Sequence, residues 1–126
     1  MLARYQIVRG KRPPGLPLPD GVRLDVRKHT GRVLSPEPDA VVAFLADPSP
    51  DGFRSFRARY EKLLERRFLE RRTEFDELAA SASKTDVYIG CSCPTKANPD
   101  VRHCHTFLAL RFMKKHYRKL KVVLPP

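Results

Sequence analysis

Apolar positions along the chain recur at two different periods, and the changes of period divide it into elements. Ala3 to Arg9 and Val22 to Val26 read as strands. In the second, Val22, Leu24 and Val26 alternate with Arg23, Asp25 and Arg27, so one face is apolar and the other charged. Lys11 to Gly15 and the Pro-rich Leu16–Asp20 stretch form a loop between them, because proline fixes φ and removes a donor. After Thr30-Gly31, the order Ser35-Pro36-Glu37 resembles an N-cap, a first-turn proline and an early acid, and predicts a helix running to about Ala46.

Asp47 to Gly52 is a turn cluster, and a long charged segment follows from Phe53 to about Ser83. Its apolar residues Phe53, Phe56, Tyr60, Leu63, Leu64 and Phe68 form one stripe at steps of three and four. The stripe breaks at Arg71-Arg72 and resumes at Phe75, which predicts a bent helix or two successive ones. Val87 to Cys91 is an uninterrupted β-forming run, as in a buried central strand. A last helix is expected from about His105, with Lys114, Lys115, Arg118 and Lys119 near its end, and a final strand over Leu120–Leu124. Strands alternating with helices predict a single α/β domain over residues 1–126. Its sheet should be small and mostly parallel, with about four strands and helices on both faces.

Composition adds a bias toward anions. The net charge of +11 is concentrated in residues 80–126, which hold nine Lys/Arg against two Asp/Glu. Such a surplus attracts phosphate-bearing small molecules or nucleic acid, although a basic solvated face gives the same count. No apolar run approaches the roughly 20 residues of a membrane span, so no membrane partner is expected. The start Met1 to Tyr5 lacks the apolar core of a secretory signal, and a cytoplasmic location is the default expectation. There is no Gly-rich phosphate loop and no evident Ser/His/Asp set.

The stretch CSCPTKANPDVRHCHT, Cys91 to Thr106, contains all three cysteines and two of the four histidines. Three readings compete for it. As a metal site, Cys91, Cys93, Cys104 and either His103 or His105 supply enough donors for tetrahedral zinc, although C-x-C is unlike the C-x₂₋₄-C knuckle of zinc ribbons. As a reactive-thiol or anion site, Cys104 and His105 stand at a helix start, where free N–H groups favour negative charge and a thiol ionises more easily. As plain structure, Cys91 is a small core hydrophobe, and Asn98-Pro99-Asp100 is only a turn.

Leu24-Asp25-Val26-Arg27 on an early strand, Phe56-Arg57-Ala58-Arg59-Tyr60 in a long helix, and a late strand leading to Cys104-His105 together resemble the DUF 488 family. This is a bacterial domain family of unknown function with a YeaO-like branch. The similarity covers roughly Val22 to Val123 and is carried by the order and spacing of short motifs. Thr106 departs from it, standing where an arginine often follows Cys-His, as do the long Pro94–Arg102 loop and the additional Cys93. The resemblance implies an α/β fold with a site built from Asp25, Arg27, Cys91, Cys104 and His105.

These readings combine into one expectation: a phosphate-bearing ligand, a nucleotide or nucleic-acid fragment, bound at a strand-end rim. Arg27 and Arg102 would pair with anionic oxygens, with His29 and Cys91 alongside and Asp25 orienting Arg27 or His29. Cys104 would be the nucleophile of any reaction, with His105 as its proton partner, and no cofactor would be needed. The alternative is a zinc-stabilised nucleic-acid-binding module with Cys91, Cys93, Cys104 and His103 as ligands. Neither reading fixes whether the chain is an enzyme or how it assembles.

Overall fold

A computed structural model describes residues 1–126 as an α/β unit with three parallel strands and four α-helices. In chain order these are β1 (Leu2–Gln6), β2 (Val22–Asp25), α1 (Pro38–Ala46), α2 (Pro50–Glu70), α3 (Arg72–Lys84), β3 (Val87–Cys91) and α4 (His105–His116). β3 is the central strand, with β1 and β2 on its two sides. The fourth strand expected over Leu120–Leu124 is reduced to a single bridge, Leu2 to Val122, on the outer side of β1. No helix is long and apolar enough to cross a membrane.

Helix boundaries follow from proline and capping chemistry. The residue before a proline is pushed out of the helical region, so Glu37, which precedes Pro38, stays extended at φ −68°, ψ 134° and α1 starts one residue later. The expected cap, Ser35, is instead buried in the preceding loop, where its hydroxyl lies 2.7 Å from Thr30 Oγ1 and accepts from the Arg32 N–H at 3.0 Å. α2 begins inside the expected turn cluster: Ser49 caps it by accepting from the Gly52 N–H at 3.0 Å, with Pro50 in the first turn. At Arg71 (φ −130°, ψ 38°) the backbone leaves helical geometry, and α3 starts at the next residue.

The buried apolar residues of all four helices form one cluster with Leu2, Val87 and Ile89. Side chains alternate along a strand, so these three share one sheet face, and Ala3, Tyr5, Tyr88 and Gly90 lie on the other. Connectivity explains the asymmetry. The crossovers from β2 to β3 and from β3 to Val122 step the same way across the sheet, so right-handed connections put their helices on one face. The β1-to-β2 connection steps back and belongs on the opposite face. It carries Pro13, Pro14, Pro17 and Pro19, which prevent a helix there. The expected helices on both faces therefore find no support in this packing.

Candidate functional site

At the carboxyl end of the sheet, three segments deliver one cysteine each. Cys91 ends β3, Cys93 stands two residues beyond, and Cys104 is the N-cap residue of α4. All three are free thiols, and their sulfurs lie within 4.8 Å of one another, a cluster that could hold a metal ion.

The loop from Ser92 to His103 is fastened from two sides. Thr95 and Asn98 exchange backbone hydrogen bonds at 3.1 and 3.2 Å. Asn98, which is buried, donates from Nδ2 to the His103 carbonyl at 3.1 Å and toward Cys93 Sγ at 3.5 Å, so it does more than make a turn. From β1, Gln6 Nε2 donates to the Ser92 and Pro94 carbonyls, and Arg4 Nη2 donates to the Cys93 carbonyl at 2.6 Å. Arg4 also donates through Nε to Thr106 Oγ1 at 3.0 Å, and that hydroxyl donates to Cys104 Sγ at 3.1 Å. A guanidinium thus acts on the Cys104 sulfur through one polarised hydroxyl.

These neighbours hold the Cys104 thiol well below its ordinary pKa: the Cys91 and Cys93 thiols contribute most, Thr106 adds to them, and burial opposes them. Cys93 moves the other way and stays protonated, because it faces the Cys104 and Cys91 sulfurs and is itself partly buried. The two shifts run in opposite directions, so of these two sulfurs Cys104 is the one that favours the negative charge.

His105 completes the arrangement. Its Nε2 lies 2.8 Å from the Val26 carbonyl, which can only accept, so Nε2 carries a hydrogen. In the neutral ring Nδ1 then presents a lone pair 3.8 Å from Cys104 Sγ, where it can take the thiol proton. The ring is buried and meets the Tyr60 ring edge-to-face at 5.8 Å.

The thiols open into a cleft of about 350 Å³. Cys91, Cys93, Cys104 and His105 line it together with Arg9, Arg27, Lys28 and His29, and no carboxylate lines it. Arg27 is gripped by Asp25, whose Oδ1 and Oδ2 accept from Nε at 3.0 Å and from Nη2 at 2.8 Å, leaving Nη1 unengaged. The same arginine holds the Asp25 carboxyl below its usual range. His29 Nε2 stands 3.8 Å from Asp25 Oδ2.

The structure thus brings Arg27, His29, Cys91, Cys104 and His105 to one cleft, with Asp25 holding Arg27. Arg102 does not line that cleft. It is exposed, and its backbone N–H and guanidinium both turn to Asp100. His103 lines the cleft but lies outside the sulfur cluster, stacked on Phe53 at 4.3 Å. Arg4 and Asn98 were not anticipated as parts of the site, and Thr106 was expected there only for its place at the start of α4. Arg4 had a legible signal, since it falls on the same strand face as Leu2, where a charged residue needs a buried partner. No family model, curated protein or solved structure matches this chain.

Proposed function

We propose that the cleft binds a small phosphate-bearing ligand of about nucleotide size, with Cys104 as the nucleophile of any reaction and His105 as its proton partner. One observation carries this reading: a 350 Å³ cleft is lined by Arg9, Arg27, Lys28 and His29 without a single carboxylate. Its volume lies at the lower end of small-molecule sites. The free Nη1 of Arg27, on a guanidinium already fixed by Asp25, suits an anionic oxygen. The resemblance to the DUF 488 family supports placing the site here, and three free thiols suit a reducing, cytoplasmic setting.

Calorimetry with a nucleoside monophosphate, inorganic phosphate and a short oligonucleotide tests this. The monophosphate should bind, more weakly as salt rises, and Arg27→Met should cost about tenfold or more, the value of one charge-assisted hydrogen bond. Absence of binding at low salt, or an Arg27→Met variant that binds as well, removes the reading. Tighter binding of the oligonucleotide points to nucleic acid instead.

The sulfur cluster favours a second reading, in which Cys91, Cys93 and Cys104 would hold zinc through three thiolates. The basic end of α4 would then contact nucleic-acid phosphates. Metal analysis of protein prepared without added metal separates the two: about one zinc with slow thiols supports this reading, and no zinc with one fast thiol supports the first.

A further inference from the structure

The sulfur cluster contains more thiol than a single nucleophile needs, and its geometry gives Cys93 a task. We infer that Cys104 and Cys93 form a redox-active dithiol that reduces a hydroperoxide, Cys104 being the sulfur attacked by oxygen and Cys93 the thiol that resolves it. This rests on the reading in which Cys104 is a metal-free thiol.

Four observations converge. The sulfurs lie within 4.8 Å of each other, so a shift of a few ångströms brings them to disulfide distance, about 2.05 Å. Both line the cleft, which is the side from which a small peroxide would meet the otherwise buried Cys104. Thr106, polarised by Arg4, places a hydroxyl donor beside Cys104 Sγ, where it can stabilise a leaving oxygen. The two possible partners also differ in freedom. Cys91 is fixed in β3, paired with Gln6, with its carbonyl accepting from the Ile7 N–H at 2.9 Å. Cys93 lies beyond the strand, outside its ladder: Arg4 Nη2 holds its carbonyl at 2.6 Å, while its sulfur faces the Cys104 and Cys91 sulfurs with a long contact from Asn98 Nδ2 at 3.5 Å.

The reaction balances with the peroxide as the only oxidant. Cys104 passes its proton to His105 Nδ1, and the thiolate attacks one oxygen of ROOH. A sulfur–oxygen bond forms, the oxygen–oxygen bond breaks, and the alkoxide leaves as ROH with that proton. Cys93 then attacks the sulfur of the Cys104 sulfenic acid. The sulfur–sulfur bond forms, and the hydroxyl leaves as water with the proton from Cys93. Two thiols are oxidised, one peroxide is reduced, and an external dithiol restores the pair.

The test treats reduced full-length protein, after its metal content has been measured, with one equivalent of hydrogen peroxide. Peptides are then mapped without reduction. The expected product links Cys93 to Cys104 and leaves Cys91 free, and it forms about tenfold or more faster than thiol loss in the urea-unfolded chain. Cys93→Ser should stop at a sulfenic acid on Cys104, trapped by a 1,3-diketone, and Cys104→Ser should lose the fast phase. Equal rates in folded and unfolded protein, or a Cys91–Cys104 link, would overturn the inference. Because Cys93→Ser retains Cys104, its sulfenic acid remains a readout even if Cys104→Ser fails to fold. Bound zinc with unreactive thiols would remove the metal-free premise as well, whereas thiols that react singly at the unfolded rate in metal-free protein would overturn the dithiol alone.

Discussion

The Thr106 hydroxyl links Arg4 to Cys104, and Thr106→Val isolates its effect. Valine keeps the shape of this fully buried side chain and removes both hydrogen bonds, at 3.0 and 3.1 Å. Losing a hydrogen bond to a charged group costs about 1.5–3 kcal/mol, and 1.36 kcal/mol corresponds to one pKa unit. The first thiolate to form should therefore titrate about 1–2 units higher in the variant, as read from ultraviolet thiolate absorbance against pH. The sign of the stability effect follows from linkage. The native pKa of Cys104 is lowered, so its thiolate contributes stability that is complete above the unfolded-thiol pKa and is lost as pH falls through the native value. Thr106→Val should thus destabilise the protein more at alkaline than at acid pH in urea unfolding. A variant whose thiolate titration overlays that of the parent refutes the relay, and an equal loss of stability at both pH values assigns Thr106 to packing alone.

Two further outcomes concern the scaffold. Tyr60 donates from its buried hydroxyl to the Leu34 carbonyl at 2.6 Å, so Tyr60→Phe should cost about 1–2 kcal/mol in urea unfolding at neutral pH. Burial also raises the Tyr60 phenol well above its ordinary pKa, so the parent loses stability as pH rises past the unfolded phenol pKa, and the phenylalanine variant should lose less. At Gly90, a Cβ would stand 2.6 Å from the Tyr5 ring and 2.9 Å from Ile7 Cδ1. Gly90→Ala should cost about 1–3 kcal/mol, and substantially less in a Tyr5→Ala background. A cost independent of Tyr5 would place the strain elsewhere.

Much of the fold could be read from periodicity, because the decisive residues lie close together in sequence. The stripe from Phe53 to Phe68 and its break at Arg71 mark either a bend or two helices, and the observed α2 and α3 divide there. Local steric rules moved the boundaries. Pro38 excludes Glu37 from α1, while Ser49 and Pro50 start α2 within what reads as a turn. Coverage of the sheet was less legible, since it depends on the direction of each crossover. Strand order β1-β3-β2 sends the Pro-rich connection back across the face opposite the helices, and no local pattern in residues 7–21 encodes that direction.

The site shows the same division between local and distant information. The rule that ligands collect at carboxyl ends of parallel strands was enough to bring Arg27 and His29 to Cys91, across β2 and β3. What it could not supply was the order of charge among three identical thiols. That order rests first on how the Cys91 and Cys93 thiols face Cys104, and then on the hydroxyl of Thr106, which is hydrogen-bonded to Arg4, 102 residues away in the chain. β1 provides the cation, and a threonine on α4 passes its influence to sulfur. The arrangement is chemically specific, because a hydroxyl can accept from Arg4 and donate to Cys104 at once. Arg4 and Thr106 should therefore behave as one unit, and losing either should raise the Cys104 titration by similar amounts, with little further change when both are removed.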